Sequence, residues 1–452
     1  MKLFTFPGGI HPSGKKELTC HQAVKVMPPP KMVVIPLLQH TGAICEPLVQ
    51  KGDKVKKGQK IGDSNSLITA PVHASLSGVV TDIRSYPHPL GNKVRSIIIE
   101  SDGLDQWAED IKRDDNYFRL LPQEVRDKLR DKGLVGLGGA AFPTSVKLTP
   151  PADKNIDVII INGCECEPYL TCDHRLMLDN PREIVEGLKI IMKLLDVGKG
   201  IIAIEDNKPE AIKLLSATVK MEPNIEVVAV KTKYPQGAEK QLIKALLKKE
   251  IPSGKLPFEV GVVVDNVGTA VAIYEALRDN RPLIERIITV TGSGIKEPQN
   301  VKVRIGTLFS DVIAFCGGLQ GDIAKVIMGG PMMGIAQYLL DVPVIKGTSG
   351  ILALTAQEVK IVQAGPCIRC SKCIESCPMN LTPYLYGLYG RRQEYEAMGK
   401  HNVADCIECG VCAYGCPARI PLVQYAKWAK MEIAQARKKK IEDGKIEKKD
   451  NR

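Results

Sequence analysis

The 452-residue sequence has no uninterrupted apolar run of about 18 residues, so no segment is expected to cross a membrane. Aromatic residues are only 5% of the chain and no basic patch is interleaved with them, which argues against nucleic-acid binding. Histidines are few. His11, His21, His40, His73 and His88 lack the spacing of metal ligands and read as ordinary loop or core residues. No basic-plus-apolar leader is expected either, because Met1–Ile10 is short and broken by Pro7, Gly8 and Gly9.

What the chain does contain is cysteine. There are fourteen, and eight of them form two runs of one spacing. Cys367, Cys370, Cys373 and Cys377 precede Pro378; Cys406, Cys409, Cys412 and Cys416 precede Pro417. In a C-x2-C-x2-C-x3-C-P run the first three thiolates hold one [4Fe–4S] cluster and the fourth reaches the other. That predicts Cys367, Cys370, Cys373 and Cys416 on one cluster, and Cys406, Cys409, Cys412 and Cys377 on the second. Zinc knuckles or a disulfide framework are the competing readings. They fit less well, since zinc sites favour paired C-x2-C units and no histidine is interleaved here. Clusters need reduced thiolates, so a cytoplasmic location is expected.

The net charge is +11, and residues 427–452 carry ten Lys or Arg against five Asp or Glu. Such a tail suits contact with anionic lipid or an acidic partner, and it equally suits a solvated helix end.

The pattern of elements predicts a multidomain α/β protein. Residues 1–120 read as a β domain of short runs punctuated by Gly52, Gly58, Gly62 and Gly78. Its Glu46–Ile61 stretch resembles half of a lipoyl-type barrel sandwich, but Ala70–Ser75 lacks the carrier lysine. Residues 121–284 alternate apolar strands (157–161, 200–204, 225–230, 260–264) with helices (181–194, 208–219, 237–249, 269–278), the mark of a parallel sheet. Residues 285–350 read as a small mixed module, with Met332 and Met333 as packing residues. Residues 351–425 hold the cluster runs, and 426–452 form the basic tail.

Two loops in the α/β region carry chemistry. Gly136-Leu-Gly-Gly-Ala-Ala-Phe-Pro-Thr144 precedes the first strand and is not a dinucleotide fingerprint; it suits a phosphate-cradling loop or a plain turn. Asn162-Gly-Cys-Glu-Cys-Glu-Pro-Tyr169, followed by Asp173, leaves the carboxyl end of strand 157–161, where ligands of open α/β sheets bind. Glu165 and Glu167 are the candidate catalytic residues, with exposed loop glutamates as the alternative.

These motifs, with Phe6-Pro-Gly-Gly-Ile-His-Pro12, Pro36-Leu-Leu-Gln-His40, Tyr234-Pro-Gln-Gly-Ala-Glu239 and Asp265-Asn-Val-Gly-Thr269, make the chain resemble the RnfC family over residues 4–425. RnfC is a component of the Rnf complex, a membrane-associated ferredoxin–NAD oxidoreductase. The middle section is similar to the flavin- and NADH-binding subunit of respiratory complex I. The resemblance implies a barrel-sandwich domain, a Rossmann-like flavin/NADH domain, a soluble-ligand-binding β-grasp module and a helical two-cluster domain. It implies non-covalent FMN, NAD(H) and two [4Fe–4S] clusters. Carried over by motif, Gly136, Gly138 and Gly139 approach the flavin phosphate side, with Lys147 as cationic partner. Asn162, Glu165, Gly237, Glu239 and Asn266 belong to the cofactor site. Glu167 lies near the nicotinamide and Phe142 stacks with the dinucleotide. Cys164 and Ala238 stand where the complex I pattern has acidic residues. The partners implied are the other members of a six-subunit complex, with ferredoxin reached indirectly and the membrane met only peripherally, on the cytoplasmic side.

Chemistry favours the same reading, because hydride donors deliver two electrons, clusters take one, and a flavin converts between them. The rival is a non-catalytic electron relay with a degenerate α/β domain, which would release no FMN on mild denaturation.

Overall fold

The computed structural model describes residues 3–359 and 362–444. It divides into two compact units. The first comprises the chain start to Phe4, Ser13–Thr232 and Pro257–Val359; the second comprises Thr5–Pro12, Lys233–Leu256 and the chain beyond Val359.

The first unit begins with a β domain of two small sheets. One has the strand order Met32–Pro36, Lys93–Ser101, Gly78–Pro87, Lys54–Val55, and the other Glu46–Pro47, Lys60–Asp63, Val72–His73. Side chains alternate across a strand, so Val33, Ile35, Val80, Ile97 and Ile99 meet Val55, Ile61 and Val72 in the core.

The α/β sheet has the order Ile225–Val230, Gly200–Glu205, Val158–Gly163, Val262–Asn266, with every pair parallel. Its strands are continuously apolar because helices cover both faces, as parallel sheets require. Pro181 and Pro209 open two of those helices, Pro181–Leu194 and Pro209–Thr218. Strand Val158–Gly163 lies between a neighbour that follows it directly and one that comes last. The winding reverses there, which opens a crevice beyond the strand ends.

The third sheet is larger than its sequence outlines. Six strands run in the order Lys25–Val26, Gln299–Arg304, Glu285–Thr291, Gly350–Thr355, Ile323–Met328, Ile335–Gln337. Gly350–Thr355 pairs with strands on both sides, so the boundary expected at 350/351 cuts through a central strand. Lys25–Val26 leaves the expected 1–120 domain to pair with Gln299–Arg304. Local pattern shows that a strand exists; which distant strand satisfies its backbone groups is a tertiary matter.

The second unit gathers both cysteine runs with the segment 233–256, which the strand–helix alternation places in the α/β domain. The connector between the runs forms two helices, Pro383–Gly390 and Tyr395–Lys400, and the long helix Leu422–Glu442 follows. The expected tail at 426–452 is corrected here. Ala426 and Ala429 are fully buried against Tyr386, Met398 and Val403, with Ile433 packed beside them. Lys430 donates to the carbonyl of Cys406 at 3.0 Å and pairs with Glu408 at 2.6 Å. Residues 445–452 of that tail lie outside the described residues. Among the described residues no helix is long and apolar enough to cross a membrane.

Ending the chain after Ala426 should therefore deplete bound iron and lower Tm, since core side chains go with it. Ending it after Ala436 should leave both unchanged. Iron assay and thermal melting of the two truncations distinguish them, and equal behaviour would contradict the packing described.

Candidate functional site

The crevice of the α/β sheet is built from three segments. Asn266 ends its strand and caps helix Val267–Arg278, its Oδ1 accepting from Gly268 N–H at 2.7 Å. Its Nδ2 donates to Asp173 Oδ2 at 2.7 Å. Asn162, opposite Asn266 in the parallel register, accepts from Cys164 N–H at 3.1 Å and turns the chain out of the sheet. Glu165 adopts a left-handed conformation (φ 48) and turns its carboxylate back onto helix Cys172–Asp179. There it accepts from the N–H groups of Asp173 at 2.6 Å and His174 at 3.2 Å. A carboxylate at a helix start satisfies donors that have no partner within the helix and complements the dipole.

The glycine loop completes this edge. Leu137 N–H donates to Thr269 Oγ1 at 3.0 Å, and the buried Arg286 guanidinium reaches Leu137 O at 3.4 Å. A Cβ on Gly138 would lie 3.3 Å from that of Asn266, so loop and strand end are in contact. Gly139 has φ 131 and nothing within 4 Å of where a Cβ would stand, so the loop borders open space. Gly136 N–H is held by Phe142 O at 2.8 Å, and Phe142 is half-buried. Lys147 donates to Val264 O and lies 3.5 Å from the buried Asp265 carboxylate. An open cradle beside glycine backbone, with asparagine and carboxylate groups converging on it, fits a flavin.

Glu167 has a different set of partners. Its Oε1 accepts from Met332 N–H at 2.6 Å and Met333 N–H at 3.2 Å. These belong to the Gly329–Gly334 loop, and a Cβ at Gly330 would overlap the Glu167 side chain. The loop whose sequence reads as methionine packing is therefore the seat of this carboxylate. Gly237 and Glu239 belong to the second unit, at the start of helix Glu239–Leu247.

Sequence reasoning missed several groups around this loop. Lys16 and Lys208 donate to its carbonyls, and neither stands in a motif that flags it. Asp173 is half-buried; burial, with Glu165 beside it, pushes its carboxyl up to about 7. Glu165, Cys172 and Asp173 lie together within 4.8 Å by their ligand atoms.

In the second unit each cysteine run makes one helical turn, Lys372–Glu375 and Val411–Tyr414, after a left-handed residue (Ser371, Gly410). Cys377 of the first run lines one cavity together with Cys406, Cys409 and Cys412 of the second. Burial pushes the Cys409 thiol up to about 12, with Cys406 and Cys377 adding to the rise. Burial also raises Cys373, whose thiol neighbours include Cys416 and Cys367. Cys367 and Cys370 are exposed. Four sulfurs bordering one enclosed apolar cavity are a donor set suited to an iron–sulfur cluster. The motifs at 6–12 and 234–239 buttress these runs. Gly9 N–H donates to Ser376 O at 2.8 Å, and the buried Tyr234 hydroxyl donates to Cys409 O at 2.9 Å.

Comparison with known proteins gives four family-model matches: an RnfC barrel sandwich hybrid domain at 4–104, a Nuo51 FMN-binding domain at 129–275, an SLBB domain at 287–336 and a 4Fe-4S dicluster domain at 366–420. The chain is 50% identical to the RnfC-type component of the proton-translocating ferredoxin:NAD(+) oxidoreductase complex of Clostridium ljungdahlii, over 95% of this chain and 94% of that one. The chain belongs to the RnfC family. Two further relatives are the corresponding components of the Na(+)-translocating ferredoxin:NAD(+) oxidoreductase complex of Acetobacterium woodii and the ion-translocating oxidoreductase complex of Rhodobacter capsulatus. They are 47% identical over 97% of this chain and 99% of that one, and 41% over 97% and 85%. As an RnfC protein the chain is an oxidoreductase component whose cofactors are FMN and two [4Fe–4S] clusters.

Asp173 gives this site a pH signature. Its folded carboxyl titrates near 7 and an unfolded one near 3.9, so the folded protein holds a proton that the unfolded chain releases in between. The stability tied to this group is complete below about pH 4 and is lost as pH rises through about 7. Asp173→Asn, neutral at every pH, should gain Tm relative to the parent protein more at about pH 8 than at about pH 5. An equal difference at both would contradict the assignment.

Proposed function

We propose that this chain is the NADH/NAD+-reacting subunit of a six-subunit membrane-bound complex. It sits peripherally on the cytoplasmic side and exchanges electrons with ferredoxin through its partner subunits. The observation that carries this reading is the convergence of the glycine loop, Asn162, Glu165, Asp173 and Asn266 at the point where the sheet winding reverses. The relatives' names, which pair ferredoxin with NAD(+), point to the substrates.

In this reading FMN is held with its phosphate side toward Gly136, Gly138 and Gly139, with Lys147 nearby, and with Asn162, Glu165, Gly237, Glu239 and Asn266 in its surroundings. NADH lies toward Glu167 and Phe142. Bound FMN accepts the two electrons of a hydride and releases them singly, which is what clusters can take. The chain's own contribution is position. Glu165 fixes the flavin-side loop to the helix Cys172–Asp179, and Glu167 fixes it to the Gly329–Gly334 loop, so the reacting atoms meet a prebuilt wall. One cluster is held by Cys367, Cys370, Cys373 and Cys416, and the other by Cys406, Cys409, Cys412 and Cys377. The cavity shared by Cys377 and the second run supports that crossing.

Three results are expected. Mild denaturation of the purified protein should release FMN. In the isolated protein NADH should bleach the flavin before the clusters, and Glu167→Gln should slow that step about tenfold or more. Charge-assisted hydrogen bonds contribute about 1.5–3 kcal/mol, and about 1.4 kcal/mol is tenfold in rate. Dithionite should still reduce the clusters of that variant; an unchanged flavin step would make the loop purely structural. Cys377→Ala should damage the cluster of the second run and spare that of the first, and the opposite loss by EPR would show that the ligation is not crossed.

A further inference from the structure

The loop from Cys164 to Leu170 leaves the sheet with several carbonyls that no strand or helix takes up. One side chain from far upstream in sequence answers three of them. Lys16 Nζ donates to Glu165 O at 2.8 Å, Glu167 O at 3.1 Å and Leu170 O at 2.6 Å. An ammonium has three donors, so all are engaged. Local backbone fixes this placement: Lys15 is left-handed (φ 49), the short helix Lys16–Leu18 follows, and Gly14 O accepts from Tyr169 N–H at 2.7 Å. Lys208 takes the next carbonyl, Cys164 O, at 2.6 Å, and is itself paired with buried Glu205 at 3.3 Å and Asn207 at 2.9 Å. Two ammoniums thus hold the backbone of the loop that carries both candidate glutamates. The charge of Lys208 is balanced at once by Glu205. Lys16 makes no carboxylate ion pair among the described residues, and its three hydrogen bonds all go to neutral carbonyls.

We propose that Lys16 is a positioning residue for the flavin–nicotinamide site, fixing the loop 165–170 and supplying a positive charge that favours the reduced flavin. This rests on the placement of FMN beside that loop. Reduction adds negative charge to a flavin, and a fixed cation in a partly water-excluded site stabilises that charge. A purely mechanical staple would need only the hydrogen bonds.

The test uses the full-length protein with clusters and FMN loaded. Lys16→Gln keeps two donors for the carbonyls and removes the charge; Lys16→Arg restores it. The flavin midpoint potential is read by spectroelectrochemical titration, together with KM and kcat for NADH. In Lys16→Gln the ratio of reduced to oxidised flavin at a fixed potential should fall about tenfold, which is about 30 mV for a two-electron couple. Lys16→Arg should return that ratio to within about twofold of the parent. Loss of FMN from Lys16→Gln with iron content and Tm unchanged would also support the proposal. A Gln variant with parental potential, KM and kcat would overturn it. So would an Arg variant displaced as far as Gln, or loss of folded protein in both, which marks a staple of the fold. Absence of FMN from the parent protein would instead sink the flavin reading itself.

Discussion

The site depends on how one loop satisfies its backbone. Beyond Asn162 the chain leaves a fully paired strand, turns through a left-handed Glu165 and reaches a left-handed Tyr169. Nothing in that path is regular, so its amides and carbonyls need partners from elsewhere, because a buried unpaired polar group costs about 1–3 kcal/mol. Glu165 turns back to a helix start, Glu167 reaches the Gly329–Gly334 loop, and Lys16 and Lys208 fill in beneath. Separate parts of the first unit thus meet on one short loop. That loop is shaped by the protein before any cofactor arrives.

This division of labour matches the chemistry expected of an RnfC protein. The first unit presents carboxylates, amides and an open glycine edge, groups that orient a flavin and a dinucleotide without reacting themselves. The second presents thiols raised by burial, which bind iron only by giving up protons. The two motifs at 6–12 and 234–239 fold with the clusters rather than with the sheet. Tyr234 and Gly9 each hold a carbonyl of a cluster-run residue, so the sequence order of the motifs and their structural allegiance differ.

Much of this was legible, for a physical reason. Cysteine spacing and the long apolar strands 157–161, 200–204, 225–230 and 260–264 are local signals. The multidomain α/β class and the cofactors followed from them together with the family resemblance. The illegible parts are those set by distant partners. Glu167 is seated on an amide 165 residues away, which no window of sequence can register. Lys16 stands in a Lys-Lys-Glu stretch that looks like solvated surface. Ala426, Ala429 and Ile433 form a buried stripe on a helix whose many charges read as a tail. Strand Gly350–Thr355 looks like the start of a new domain until its partners on both sides are seen.

The central claim, that the loop is prebuilt by its carboxylate and ammonium contacts, is tested most directly by hydrogen exchange on protein stripped of FMN. The amides of Asp173, His174, Met332 and Met333 should already be protected there, and adding FMN should change them little. Fast exchange at these four positions without FMN, slowing only when it binds, would contradict the account.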